Sequence, residues 1–206
     1  MEKKVAEGAE ADIFAGEVAG IPAIIKDRIK KDYRAEQLDT AIRSQRTKSE
    51  AKITAHAKMA GVNVPTLLLV SGNRLYASRI DGETLNHLML AKKESQFTGA
   101  IEDAAGQLAL IHSKDLVHGD YTPANLMLDK QNRLWVIDFG LGEFTNSVEE
   151  KALDVLLMKR SISPSLYKKF EHAYLYSDWK YTKHVIAKLA EIERRGRYQT
   201  RTLMTG

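Results

Sequence analysis

The sequence predicts an α+β chain of two lobes, a small β-rich N-lobe followed by a reduced helical C-lobe. Three observations carry this expectation. Short β-prone runs fall before residue 81, apolar residues recur at helical spacing after residue 96, and the polar link Asp81-Gly82-Glu83-Thr84-Leu85 separates them. The expected division is therefore 1–81 for a lobe with a five-stranded sheet and one long helix, and 82–206 for the helical lobe and a basic tail. A cleft is expected near Asp81-Gly82.

The elements follow in order. KKVAEG, ADIFAGEV and IPAIIKDRI are β-prone runs broken at Gly8 to Glu10 and at Gly20, which predicts a three-stranded antiparallel start. From Tyr33 to Ala60 the pattern is helical. Gly61 is placed to end it, and Leu38, Ile42, Ala51 and Ile53 form a narrow apolar stripe. TLLLVS and RLYASRI flank Gly72-Asn73 and read as a hairpin. DGETL reads as a linker. Ile101, Ala104, Ala105, Leu108 and Ile111 mark an amphipathic helix, NLMLDKQNRLWVI a second hairpin, and Val148 onward a helical region interrupted at Pro164.

Composition sets bounds on function. The chain has 206 residues, 44% hydrophobic and 28% charged, which suits one sizeable core or two small packed lobes. It has no cysteine, which excludes disulfides and thiolate metal sites. No run approaches a membrane span, so a cytoplasmic protein with no membrane contact is expected. The net charge of +4 gathers in KDRIKKDYR (Lys26 to Arg34), continued by Arg43, Arg46 and Lys48, and in ERRGRYQTR (Glu193 to Arg201). Each cluster reads either as a solvated face or as a contact for a polyanion.

The chemistry-bearing stretch is HGDYTPANLMLDKQNRLWVIDFG, residues 118 to 140. Nucleotide phosphoryl transfer needs a cation for the α/β-phosphates, oxygen ligands for magnesium and a group beside the attacking oxygen. Asp120 and Asn125 have the D-x-x-x-x-N spacing of a catalytic loop, and Asp138-Phe139-Gly140 follows a strand as a DFG should. Asp120 is the expected catalytic residue, and Asn125 and Asp138 the metal ligands. Lys26 lies in AIIKD on the third strand, where the phosphate-binding lysine belongs. Its partner is an acid on the following helix: Glu50 by direction and distance, with Glu36 the weaker candidate. ATP and magnesium are the implied cofactors, and the fold class becomes protein-kinase-like.

Two departures stand out. The phosphate loop reads Glu7-Gly8-Ala9-Glu10-Ala11, with one glycine and two acids that should repel a triphosphate unless a cation lies between. His118-Gly119-Asp120 lacks the arginine that would pair with a phosphorylated activation loop. About seven residues separate Gly140 from the helix near Val148, which leaves no room for a peptide-docking platform. Asp154, within an apolar helical run, is either solvent-facing or a buried brace that accepts catalytic-loop amides.

EGAEA, KDRIKKDYR with LD and RT following, HGD-x-T-x-x-N, DFGL and the terminal RRGR together resemble the PRPK-like small atypical serine/threonine kinase/ATPase family of the KEOPS complex, from about Glu7 to Arg197. The resemblance implies an autokinase/ATPase that partners a tRNA-threonylcarbamoyltransferase subunit of the ASKHA ATPase fold. That machine makes N6-threonylcarbamoyladenosine next to certain anticodons. It also implies that Ser78 and Ile80 offer backbone groups to adenine, and that Lys30, Lys31, Arg34 and Arg46 meet tRNA or an acidic partner. Arg194, Arg195 and Arg197 would form a tail that orders on binding partner or tRNA. One alternative is a small-molecule phosphotransferase of the aminoglycoside or choline kinase type, which shares HGD and a following asparagine. Another is a non-catalytic module that binds ATP without splitting it.

Overall fold

The computed structural model describes residues 2–92 and 94–204, with side chains for 2–92 and 97–195. The chain opens with strands β1 (Lys3–Glu7), β2 (Ala11–Val18) and β3 (Ile21–Arg28). Helix α1 (Glu36–Met59) and the hairpin β4 (Leu67–Ser71) and β5 (Arg74–Ser78) complete the N-terminal unit. Its sheet is antiparallel in the order β1-β2-β3-β5-β4. Gly72 turns the second hairpin at φ +57°.

Helix α1 begins three residues later than its sequence pattern suggests, because residues 29–35 are held as a loop by a buried carboxylate. Asp39 is fully buried and accepts the Lys31 amide at 3.1 Å and Arg43 Nε at 2.6 Å. The apolar stripe also differs from expectation. Leu38 is exposed, and the inward face carries Asp39, Thr47, Glu50 and Thr54 beside Ile53 and Ala57. This helix docks largely through polar groups. Its C-terminus behaves as expected, with Gly61 in the left-handed region at φ +91°.

The link DGETL is not a free linker. Gly82–Thr84 forms β6, which pairs antiparallel with β8 and leads into a six-residue helix, α2 (Leu85–Leu90), capped by Thr84. Helix α3 (Glu94–Ser113) and strand β7 (Leu116–Val117) follow, then a single 3-10 turn at Pro123–Asn125. The hairpin β8 (Leu126–Asp129) and β9 (Leu134–Val136) joins β6 in a three-stranded sheet, and β10 (Glu143–Phe144) pairs with β7. Helices α4 (Val148–Ser161), α5 (Pro164–Leu175) and α6 (Thr182–Met204) close the chain. The basic tail is the end of α6 rather than a separate segment. Arg195 donates to Glu149 on α4 at 2.9 Å, and the side chain of Arg197 lies outside the described residues.

The main core sits in the C-terminal part. Ile101, Ala104, Ala105, Leu108 and Ile111 of α3 are at most 0% exposed, so the predicted stripe is the buried one. They pack with Val155 of α4 and with Phe170 and Tyr174 of α5. Among the described residues, no helix is long and apolar enough to cross a membrane.

Gly82 marks a tight approach between β6 and β8. A Cβ there would lie 2.2 Å from the Leu128 carbonyl oxygen, and backbone cannot swing aside as a side chain can. Gly82→Ala is therefore expected to destabilise the chain by ~1–3 kcal/mol, the usual cost of overpacking. Chemical denaturation would read this as a lower midpoint at unchanged slope.

Candidate active site

Strand period brings the first cation into place. Lys26 on β3 points toward α1 and the cleft, where Nζ lies 2.9 Å from Glu50 Oε1 and 2.5 Å from Asp138 Oδ1. Of the two acids weighed for this pairing, Glu50 is the partner. It is 3% exposed, whereas Glu36 lies on the surface at the start of α1. Asp138 holds its carboxylate in the cleft from a left-handed backbone, φ +61°, and Oδ1 also accepts the Gly140 amide at 3.0 Å. Burial pushes its pKa up, but the Lys26 ammonium and the Gly140 amide outweigh this and hold it below the ordinary aspartate value.

The catalytic loop is fixed through its backbone. His118 is buried; its Nδ1 accepts the Asp120 amide at 3.2 Å and its Nε2 lies 3.0 Å from the Ile137 carbonyl. These two partners define a neutral ring protonated on Nε2. Asn125 Nδ2 donates to Asp120 Oδ2 at 2.8 Å and to the Asp120 carbonyl at 2.9 Å, so the two ends of the D-x-x-x-x-N spacing meet. Phe139 is buried with its ring 4.7 Å from that of His118, which seats the DFG against the loop.

Gly119 explains the missing arginine. Its φ is +78°, and a Cβ would lie 2.2 Å from the Leu141 carbonyl oxygen. The segment after the DFG occupies the space that a side chain at this position would need.

Asp154 is the buried brace, not a solvent-facing acid. At 1% exposed it accepts the His118 amide at 2.7 Å through Oδ2 and the Gly119 amide at 2.9 Å through Oδ1. His112 Nε2 approaches Oδ2 at 3.3 Å, and the other nitrogen of the ring lies 2.7 Å from the Tyr174 hydroxyl. His112 and Tyr174 gave no sequence signal, because helical spacing alone reads both as core residues.

These groups surround a cavity of about 410 Å³. Gly8, Ala9, Glu10 and Ala11 of the phosphate loop form one wall, and Lys26, Asp120 and Asp138 reach it from the other side. Gly8 makes the turn, with its amide 3.1 Å from the Ala11 carbonyl. A larger depression of about 910 Å³ lies beside Asp81, Asp103 and Lys130, away from the catalytic side chains. Some sequence candidates do not join the cavity. Glu7 points to solvent and pairs with Lys4 at 3.3 Å. The Ser78 amide donates to the Thr66 carbonyl at 2.8 Å, so it is not available to adenine, and Ile80 lies in the connection after β5. Glu10 meets Arg46 at 3.0 Å and Arg28 at 3.4 Å, which supplies the cations that the acidic loop requires. Arg46 is thus paired to the loop, and Arg28 was not singled out by the motif pattern.

The donor set fits magnesium. Asp138 Oδ2 and Asn125 Oδ1 are hard oxygens left over after the bonds above, and this ion takes one or two carboxylates with water and phosphate completing its shell.

The RIO-domain family model matches residues 23–159, which contain Lys26, Glu50, the catalytic loop, the DFG and Asp154. The chain belongs to the RIO-domain family. Within it, this RIO-domain chain belongs with the Bud32 proteins. It is 35% identical to the EKC/KEOPS complex subunit bud32 of Dictyostelium discoideum, over 95% of this chain and 83% of that one. It is 33% identical to the KEOPS complex subunit Bud32 of Pyrococcus abyssi, over 98% and 99%. It is also 36% identical to a probable bifunctional tRNA threonylcarbamoyladenosine biosynthesis protein of Methanosphaera stadtmanae, of which it spans 36%. The Rio2 kinase of Chaetomium thermophilum, solved as an ADP/Mg2+–phosphoaspartate complex, shares the fold. Its TM-score is 0.62 at 15% identity, covering 95% of this chain and 70% of that one. The two-lobed kinase-like reading and the KEOPS resemblance read from the motifs both hold.

The brace makes stability depend on pH. Burial holds the His112 pKa below the ordinary histidine value, against the opposing pull of Asp154. A base with a depressed folded pKa leaves stability unchanged above the unfolded pKa. Below about pH 6.5 the unfolded chain takes up a proton that the folded chain refuses, so stability falls. Denaturation midpoints measured from pH 7.5 to 5 should decline for the unaltered chain and decline less steeply for His112→Gln.

Proposed function

We propose that this Bud32-family chain is an ATP-dependent atypical serine/threonine kinase, acting as an autokinase and ATPase within the KEOPS complex. There it would support formation of N6-threonylcarbamoyladenosine in tRNA. The observation that carries the reading is the convergence of Lys26, Asp120 and Asp138 on one cavity walled by the phosphate loop. In this reading residues 1–81 and 82–206 are the two lobes that enclose ATP. Lys26, oriented by Glu50, holds the α/β-phosphates. Asp120, oriented by Asn125, aligns a serine hydroxyl or water and accepts its proton. Asp138 and Asn125 hold magnesium, which neutralises charge building on the phosphates when bound. The Ile80 backbone and the Ser78 carbonyl face adenine. Ala9 and Glu10, at the tip of the loop turned by Gly8, present backbone amides to the phosphates.

The partner in this reading is the tRNA-threonylcarbamoyltransferase subunit, and the site of action is the cytoplasm. The similarity to Bud32 subunits of KEOPS complexes supports membership of such a complex. The short connection from Gly140 to Val148 supports an ATPase over a peptide kinase, because it leaves little room for a docking platform directly after the DFG. The purified chain should turn over well below the ~1–100 s⁻¹ typical of kinases. With γ-labelled ATP, label is expected mainly as free phosphate, rising when the partner and tRNA are added and abolished by Asp120→Asn. Stable transfer to a small molecule, indifferent to partner and tRNA, would instead establish a stand-alone phosphotransferase.

Arg194, Arg195 and Arg197 at the end of α6 are the proposed contact to tRNA or to the partner. If Arg195 meets a phosphate, Arg195→Ala should weaken tRNA binding by the whole complex and flatten its salt dependence by about one counterion. An unchanged slope of log K against log salt would assign the tail to protein.

A further inference from the structure

A carboxylate in a loop that cradles triphosphate is costly unless it has another task. The surroundings of Glu10 show one. Arg46 Nη1 lies 3.0 Å from Oε1 and 3.0 Å from Oε2 of Glu10, and Arg28 Nη1 lies 3.4 Å from Oε2. Arg46 stands on α1 one turn before Glu50. Arg28 stands on β3 two residues beyond Lys26 and therefore on the same face of the strand. It is 4% exposed, and its second nitrogen, Nη2, reaches Glu50 Oε2 at 2.6 Å, while Lys26 takes Oε1.

These contacts close a ring. Glu10 is joined to α1 directly through Arg46, and again through Arg28 and Glu50. The backbone adds two fastenings between the same loop and the β3–α1 connection: Ile29 N–H donates to the Glu10 carbonyl at 3.0 Å, and Lys31 Nζ to the Ala9 carbonyl at 2.7 Å. Arg28 also borders the catalytic groups. A Cβ on Gly140 would lie 3.1 Å from Lys26 Nζ and 3.5 Å from Arg28 Nη2.

We infer that Arg28 and Arg46 are positioning residues that make Glu10 a tether, fixing the phosphate loop to α1 so that loop, Lys26 and Glu50 keep one arrangement. The consequence for nucleotide binding rests on the ATP-site reading above; the tether itself does not. The two possible roles of Glu10 predict opposite signs. A carboxylate acting only as a repeller is harmful to phosphate binding, and its neutralisation tightens ATP. A carboxylate acting as a tether loosens the loop when neutralised, and ATP binds more weakly.

The test uses the full chain with Glu10→Gln, Arg46→Glu and the reversed pair Glu10→Arg/Arg46→Glu, each checked for cooperative thermal unfolding. Amide hydrogen exchange without nucleotide reads the tether at the Gly8 and Ile29 amides. Displacement of a fluorescent ATP analogue by MgATP reads its effect on affinity. The single changes should speed exchange at both amides and weaken MgATP by about two- to fivefold, the range for half-exposed pairs. High salt should shrink the effect. The reversed pair should recover part of both, which simple damage to packing would not allow. Tighter MgATP binding by Glu10→Gln, or unchanged exchange at Gly8 and Ile29, would overturn the inference. Faster exchange in a chain that binds no MgATP would leave the tether standing and remove the ATP reading.

Discussion

Everything in the cleft depends on where Glu50 puts its charge. A carboxylate 3% exposed is costly to bury unless matched, and it is matched twice, by Lys26 on one oxygen and Arg28 on the other. Both cations come from β3, so α1 seats against the sheet only where that strand presents them. This explains the unusual inward face of the helix. Ile53 and Ala57 provide the apolar contact, and the remainder is polar groups whose bonding depends on one registration. The helix is placed by charge matching more than by hydrophobic burial. A geometry that is right for Lys26 follows from that placement.

The C-terminal part solves a parallel problem with the opposite charge arrangement. The catalytic loop is an irregular backbone with amides to satisfy, and Asp154 takes two of them from inside the core. His112 and Tyr174 complete the network, so the brace is packed on its far side as well. Gly119 lies so close to the Leu141 carbonyl that a side chain has no room at position 119. Asp120 inherits its position from these contacts.

How legible this was in the sequence differs element by element. The β1–β3 meander, the hairpin at Gly72-Asn73 and the α3 stripe were readable because period and turn chemistry are local. That Lys26, Asp120 and Asp138 line one cavity, with Asn125 bonded to Asp120, was readable because the motif spacings expected them to meet. The start of α1 was misplaced because Asp39, a residue that looks solvated, is buried to hold the loop before it. β6, β7 and β10 have two or three residues each and carry no detectable period, which is why DGETL looked like a linker. Arg28 and Arg46 passed as members of a basic cluster, since their partners Glu10 and Glu50 are brought to them by tertiary structure. Asp154 left two readings open because its burial, not its spacing, decides between them.

The segment after the DFG is more than a shortened loop. Its β10 strand pairs with β7, and Phe144 sets its ring edge-on to His56 at 5.0 Å with Lys52 Nζ 5.0 Å from the ring, both on α1. A Cβ on Gly142 would lie 3.3 Å from Ile53 of the same helix. The element that elsewhere would toggle between two poses here serves as a wedge behind α1. A displacement of α1 would therefore be felt at the segment after the DFG, and a displacement of that segment at the helix that carries Glu50.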